Sequence, residues 1–224
     1  MNTSTRFLVT TALPDRVGIL RDVTGALFAR GANFTDLRQT VIGGIFTLSA
    51  IAEFEAPADP DSLVAAVRAA LPERDACVDV RPCAPVARRV PDGTGRSSLS
   101  ITRLSSGAAP AGERYVASVM GPDRPGRIHE IARIFADAGV NVEDWRHDFS
   151  DPERTLTIGI VTVPPSCDVP ALQRTLAEAL GPTGLATSLR HENIFRATNE
   201  VGPIRTLLGD GFAVPRNSTP APPA

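Results

Sequence analysis

The sequence predicts an α+β protein made of two ferredoxin-like βαββαβ domains, each an antiparallel sheet with both helices on one face. Two observations support this prediction. The chain repeats itself at a spacing of 108 residues, and of the 24 positions in residues 15–38, seven are identical in residues 123–146. Around each copy, apolar residues recur with the spacings typical of short strands and amphipathic helices. Because an internal repeat sets the number of domains, we expect two copies of one small domain.

The first copy reads as strand, helix, strand, strand, helix, strand. Gly31 stands where a glycine commonly ends a helix, and Gly43-Gly44 is a hairpin signal. Pro60 follows Asp59 at the start of a helix, where its missing N–H group costs little. The predicted elements are strands at residues 7–12, 34–41, 45–54 and 76–80, with helices over residues 19–27 and from residue 59 to about residue 71.

The second copy follows the same order. Its hairpin has a longer loop through Asp151-Pro152, and Val169-Pro170 opens its second helix. The predicted strands are residues 115–120, 142–149, 155–163 and 185–191, and the first helix contains residues 128–135.

These elements divide the chain into a first domain at residues 5–82, a linker at 83–112, a second domain at 113–192 and an extension at 193–224. Turn-forming residues dominate the linker, but residues 99–104 alternate between apolar and polar. They are either an extra strand or the fourth strand of the first domain in place of residues 76–80, and the sequence leaves both open. In the extension, residues 201–208 are a helix candidate. The end, residues 215–224, is rich in Pro, Ala and Ser, and we expect it to be disordered.

Composition excludes several classes of function. The net charge of -2 gives no electrostatic footprint for direct nucleic-acid binding. All 23 basic residues are arginine, so a Schiff-base lysine and a P-loop lysine are both absent. No apolar run is long enough for a membrane span, and the start of the chain does not resemble a signal peptide. We therefore expect a cytoplasmic protein with no membrane partner.

Catalytic and metal-binding patterns are also missing from the sequence. His129, His147 and His191 are dispersed, and no cysteine accompanies them at the spacing of metal ligands. None of the common nucleophile, dinucleotide or zinc-protease motifs occurs. The prediction is a protein that is not an enzyme and needs no cofactor or metal.

The repeated segment resembles the ACT domain. In the second copy the resemblance is carried by Asp123-Arg124-Pro125-Gly126, which opens a helix, and by Gly139-Val140-Asn141 before the next strand. The first copy departs from this pattern at Val17, where proline is usual, and at Phe34, where a smaller aliphatic residue is usual. Two such domains without a catalytic or DNA-binding module resemble the glycine cleavage system repressor group of tandem ACT proteins.

This resemblance implies regulation by a bound small molecule, most often an amino acid such as glycine or serine. The implied ligand-binding residues are an aspartate, a glycine and an asparagine from each copy: Asp15, Gly18, Asn33, Asp123, Gly126 and Asn141. Unpaired N–H groups at a helix N-terminus suit a carboxylate, and the glycine allows close approach. An aspartate can pair with an ammonium group, and an asparagine both donates and accepts. The departures in the first copy make the second copy the more expected ligand site.

Two alternatives remain open at this stage. The Asp-Arg-Pro-Gly segment is also a good turn and helix start, so these residues can serve the fold whether or not a ligand binds. As a function, the main prediction is a sensor that changes its contacts with a regulatory protein partner, with transcription as one possible output. The alternative is a ligand-free interaction module whose sheet edges pair in a homo-oligomer, since exposed edges favour such pairing.

Overall fold

The computed structural model describes residues 5–84, 111–148 and 154–199 of the 224-residue chain. The first copy of the repeat contains β1 (Thr5–Pro14), α1 (Ile19–Phe28), β2 (Ala32–Ile42), β3 (Ile45–Phe54), α2 (Pro60–Ala70) and β4 (Cys77–Pro82). The second copy contains β5 (Glu113–Gly121), α3 (Arg127–Asp137), β6 (Asn141–Asp148), β7 (Thr155–Val163), α4 (Val169–Leu180), a short 3-10 helix (Gly181–Thr183) and β8 (Ala186–His191). The predicted βαββαβ order is confirmed in both copies.

The fourth strand of the first copy is β4, which pairs antiparallel with β1 from Ala12↔Cys77 to Phe7↔Pro82. Of the two segments left open by the sequence, the one near residues 76–80 therefore forms this strand. Residues 99–104, the other candidate, lie outside the described residues.

Both copies contribute to one eight-stranded sheet, in the order β4-β1-β3-β2-β6-β7-β5-β8. The copies join where β2 pairs antiparallel with β6, from Leu37↔His147 to Thr40↔Asp144. Arg38 pairs with Arg146, and these two residues also occupy equivalent positions in the repeat. The junction thus lies on a pseudo-two-fold axis, because β2 and β6 are equivalent strands of the two copies.

The helices form one layer, in which α2, α1, α3 and α4 contact one another in that order. Buried residues alternate along β1, as expected for a strand with one face against this layer. A single apolar core runs through both copies, from Phe7 and Val9 to Leu185 and Leu189. Trp145 lies in this core near the junction, with its ring edge-to-face against Phe135 at 5.7 Å. The limits predicted for two separate domains stay predictions.

The chain divides into two compact units, Met1–His191 and Glu192–Ala224. The described part of the second unit is the helix α5 (Glu192–Asn199), in which Arg196 forms an ion pair with Glu192 at 2.6 Å. The sequence prediction missed this short helix. The helix and the disorder predicted for residues 201–208 and 215–224 lie outside the described residues.

Within residues 5–84, 111–148 and 154–199, no group of three or more His, Cys, Asp or Glu side chains is placed to hold a metal ion. None of the helices in those ranges combines the length and the apolar character needed to cross a membrane. Cys77, Cys83 and Cys167 are free thiols.

Candidate functional site

The N-termini of α1 and α3 differ from those of α2 and α4. The latter two helices are capped by aspartate, since Asp59 accepts from the Ser62 N–H at 2.9 Å and Asp168 accepts from the Ala171 N–H at 3.2 Å. The caps of α1 and α3 are Gly18 and Gly126, and neither makes a side-chain cap hydrogen bond. At the start of α3 the Arg127 N–H donates to the Arg124 carbonyl at 3.4 Å. The first N–H groups of α1 make no such bond among the described residues, so they remain available to another acceptor.

Both glycine caps require glycine for the backbone conformation. Gly18 has φ of 93° and Gly126 has φ of 79°, in the left-handed region that other residues rarely adopt. The repeated Asp-Arg-x-Gly segment therefore has a structural role in both copies. That role is compatible with ligand binding, because it is also what leaves the helix N-terminus uncapped.

The structure brings Asp15 of the first copy together with Asn141 of the second. The Asn141 Nδ2 group donates to Asp15 Oδ2 at 2.8 Å, and Asn141 is 3% exposed. Asp15 follows β1, whereas Asn141 begins β6, so this contact exists only because β2 and β6 join the two copies. The predicted residues Asp15, Gly18 and Asn141 thus lie in one place, contributed by both copies.

Asp15 is a half-buried carboxylate with unsatisfied bonding capacity. Its Oδ1 atom is buried and has no hydrogen-bond partner among the described residues. Burial is the largest influence and raises the pKa of Asp15; the hydrogen bond from Asn141 lowers it and the nearby Glu143 raises it. The net effect is a raised pKa for Asp15. A buried carboxylate oxygen without a hydrogen-bond partner suits a cationic donor.

A cleft opens beside this pair. Its polar lining includes Asn141, Arg16 and Arg21, and its apolar lining comes from both copies: Ile19, Leu20, Phe46, Ala132, Ala136, Val140 and Val142. The empty volume, including the part open to solvent, is about 240 Å³. The space between the lining side chains holds about one water molecule, so a ligand must displace side chains at the mouth.

Two arginines line the cleft. Arg16 pairs with Glu73 at 2.5 Å and with Asp22 at 3.0 Å, and its hydrogen bond with Glu73 is the main cause of its raised pKa. Arg21 is more exposed and pairs with Asp22 at 2.7 Å. The Arg21 Nη2 atom lies 3.1 Å from the position that a Cβ on Gly18 would take, so Arg21 covers the helix N-terminus. The less restrained Arg21 is the side chain that can most easily move aside.

The equivalent residues Asn33, Asp123 and Gly126 are arranged differently. Within the described residues, no hydrogen bond joins Asn33 to Asp123. The aromatic ring of Phe28 packs on Gly126, because a Cβ added to that glycine would lie 2.7 Å from the Phe28 Cζ atom. Three of the six predicted residues, Asp15, Gly18 and Asn141, therefore lie together, whereas Gly126 at the equivalent helix start is covered by Phe28.

The first residue of α3 is a buried arginine that the sequence analysis missed. Arg127 is 1% exposed and donates to the Pro122 carbonyl at 3.2 Å, to Thr157 Oγ1 at 3.1 Å and to Thr155 Oγ1. Its Nη2 atom also lies 2.8 Å from His147 Nδ1. Burial lowers the pKa of Arg127 to about 10. Its equivalent in the first copy is Ile19. The same buried position is therefore apolar in the first copy and cationic in the second.

Strand bulges also escaped the sequence analysis. The register of β2 against β3 shifts between Phe34 and Asp36, and that of β6 against β7 shifts at the equivalent place, between Val142 and Asp144. A bulge bends a strand and redirects its side chains. Each bulge follows the repeated asparagine closely. The sequence feature that could have indicated the bulges is the repeat itself, which continues past Asn33 and Asn141 into these strands.

Family models match parts of both copies of the repeat. Residues 5–81 match a family model described as an ACT domain, and residues 115–147 match a second ACT domain model. A UPF0237 protein of Methanosarcina mazei is 41% identical over 51 residues, covering 23% of this chain and 55% of that protein. The chain thus spans about half the length of this curated relative.

Two solved structures show low overall similarity. A candidate glycine cleavage system transcriptional repressor is 16% identical with a TM-score of 0.33, covering 84% of this chain and 97% of that one. An ACT domain protein from Streptococcus pneumoniae is 23% identical with a TM-score of 0.32, covering 35% of this chain and 89% of that one. The family assignment therefore rests on the two model matches, which fall on the two copies of the repeat.

Proposed function

Because this chain is a tandem ACT-domain protein, we propose that it is a regulatory sensor that binds a small free amino acid between its two copies. The observation that carries the proposal is the hydrogen bond between Asp15 and Asn141, which joins the copies beside the uncapped start of α1. A ligand in that position contacts both copies at once. Its binding therefore favours one arrangement of the junction, which a partner can recognise.

The chemistry of the cleft suits an α-amino acid. The unpartnered Asp15 Oδ1 atom is an acceptor for the ammonium group, and the free N–H groups at the start of α1 are donors for the carboxylate. Ala132, Ala136 and Val140 offer apolar surface to the side chain. Because the space between the lining side chains is so small, we propose glycine or serine as the ligand.

The experiment that tests this function is thermal unfolding of the purified protein against each common amino acid. At a concentration of about 100 times its Kd, a ligand stabilises the folded protein by about 2.7 kcal/mol. For a chain of this size that corresponds to roughly 5–10 °C in Tm. We expect a shift confined to one or two small amino acids. No shift with any amino acid would contradict the sensor and favour the ligand-free interaction module.

Paired variants show whether the shift arises at this cleft. Asn141→Ala removes the amide that bonds Asp15, so we expect it to abolish the ligand-induced shift. It also leaves a buried carboxylate oxygen unpaired, which lowers the Tm of the ligand-free protein. The matched control is Asn33→Ala at the equivalent position, which we expect to retain the full shift. Loss of the shift in both variants, or in neither, would contradict binding at this cleft.

As the output of this sensor, we propose control of transcription of amino-acid metabolism genes, such as those of the glycine cleavage system, through a protein partner. The tandem layout supports this proposal, and the net charge of -2 supports a protein rather than DNA as the direct contact. We expect no mobility shift of promoter DNA with the purified protein at physiological salt. A specific shift under those conditions would refute the need for a partner.

A further inference from the structure

The pseudo-two-fold axis creates two related crevices in the helix layer. In the first, the start of α1 faces the later turns of α3, and Gly18 and Ala136 both line the cleft. In the second, the start of α3 faces the later turns of α1, where Gly126 meets Phe28. The repeat spacing of 108 residues makes Phe28 the equivalent of Ala136. The two crevices thus differ at one position by a small and a large side chain.

The first crevice is open because a methyl group stands at that position. Ala136 is half-buried and shares the lining with Ala132, so α3 presents small side chains to the start of α1. Asn141 lines the space that remains, and Asp15 lies directly behind it, at 2.8 Å from the Asn141 amide nitrogen. A phenyl ring at position 136 would occupy it.

The second crevice is closed by Phe28. Its ring approaches Gly126 so closely that even a Cβ there would lie only 2.7 Å from it, which leaves no layer of space over the start of α3. The ring is also stacked against His129, with centroids 6.0 Å apart and planes 23° apart. His129 in turn lies 3.2 Å from the Arg21 carbonyl through Nδ1, so the stack is held against α1.

Phe28 is poorly explained by the stability of the core. It is 41% exposed, whereas Ile19, Leu20, Val23, Thr24 and Leu27 of the same helix are buried. A large apolar side chain left half in water gains little by burial. Its contacts are concentrated on Gly126 and His129, at the mouth of the crevice.

Resting on the proposed function, we propose that each chain binds one amino acid, at the cleft of Asp15 and Asn141, and that Phe28 keeps the equivalent crevice at Asp123 and Asn33 closed. The asymmetry reverses the expectation from the sequence, which favoured the second copy. In the repeat, the residues equivalent to Asp15, Gly18 and Asn141 are Asp123, Gly126 and Asn33, so the residue types at the two crevices are the same. Removing the Phe28 ring therefore uncovers a second amino-acid site rather than an unrelated cavity.

The test counts binding sites by equilibrium dialysis with radiolabelled glycine and, separately, L-serine. We expect one site per chain in the wild type, two in Phe28→Ala and none in Ala136→Phe. In the double variant Phe28→Ala, Asn33→Ala, the added site is expected to disappear while the first remains. Because Phe28 is half-exposed, its replacement is expected to leave the fold intact, and circular dichroism checks each variant.

The outcomes separate this inference from the proposed function. If the wild type binds one molecule and Phe28→Ala also binds one, Phe28 is not the barrier and the inference is overturned while the sensor stands. Two sites in the wild type have the same consequence. No binding to either protein overturns both. If the wild type binds nothing and Phe28→Ala binds one molecule, the cleft of Asp15 and Asn141 is not the site. That result overturns the proposed function and the inference of one bound amino acid per wild-type chain.

Discussion

Replacing Asp15 with asparagine is expected to weaken amino-acid binding while stabilising the ligand-free protein at neutral pH. The loss of binding follows from removing the carboxylate that neutralises the ligand's ammonium group in a half-buried site. Leaving one charge of such a pair without its partner costs about 3–4 kcal/mol, or roughly 100- to 1,000-fold in Kd. The hydrogen bond from Asn141 is retained, because an asparagine carbonyl accepts it equally well.

The gain in stability follows from the direction of the Asp15 pKa. Burial raises this pKa above the usual value of 3.8, so the folded protein binds the proton more tightly than the unfolded chain does. Folding is therefore penalised as the pH rises from about 3.8 through the raised pKa of the folded state, and the penalty persists above it. Asparagine at this position carries no charge and removes the penalty. Below pH 3.8 the carboxyl group is neutral in both states, and the difference between the two proteins disappears.

Calorimetric unfolding at neutral and at acidic pH, each with and without ligand, measures both effects. We expect Asp15→Asn to have the higher Tm without ligand at pH 7, to lose the ligand-induced shift, and to match the wild type in acid. Asp123→Asn is the matched control, since Asp123 is the equivalent of Asp15 in the repeat, and it should keep the ligand-induced shift. A variant that is less stable at pH 7 would show that Asp15 supports the fold, and unchanged affinity would exclude it as the ammonium partner.

The features that could be predicted from the sequence are those with local causes. The glycines at positions 18 and 126 are needed for backbone conformation, and the hairpin glycines and helix-opening prolines mark the ends of elements. The strands at residues 45–54 and 155–163 were therefore placed to the residue. The repeat supported the remaining elements, because each local pattern occurs twice in the sequence.

The pairing of site residues could not be predicted, because it depends on contacts between distant positions. Asp15 and Asn141 were both identified, but the sequence does not say which aspartate lies beside which asparagine. That choice is made by the antiparallel pairing of β2 with β6. The opposite roles of Phe28 and Ala136 depend on the same junction. A difference in side-chain size between equivalent positions shows its effect only once the facing helix is known.

The strand β6, which forms the junction with β2, should be highly sensitive to one added methyl group on its other neighbour, at Gly159 of β7. This residue pairs with Trp145 across β6 and β7, and a Cβ there would overlap the Asp144 carbonyl oxygen and the indole ring. Because the Trp145 ring is 1% exposed and packed against Phe135, it has no free space into which to move. We expect Gly159→Ala to destabilise the protein by about 3 kcal/mol or more, which lowers Tm by roughly 6–12 °C.

Unfolding followed by the fluorescence of Trp145, the only tryptophan, measures this loss directly. The matched control is Gly181→Ala, where an added Cβ meets nothing within 4 Å and the backbone is helical, so Tm should stay within about 1–2 °C of the wild type. Since one core runs through both copies, the loss at Gly159 should appear in a single transition. Two separate transitions, with only one displaced, would mean that the copies unfold independently. The junction would then be too weak to transmit ligand binding from the Asp15 cleft to the rest of the sheet.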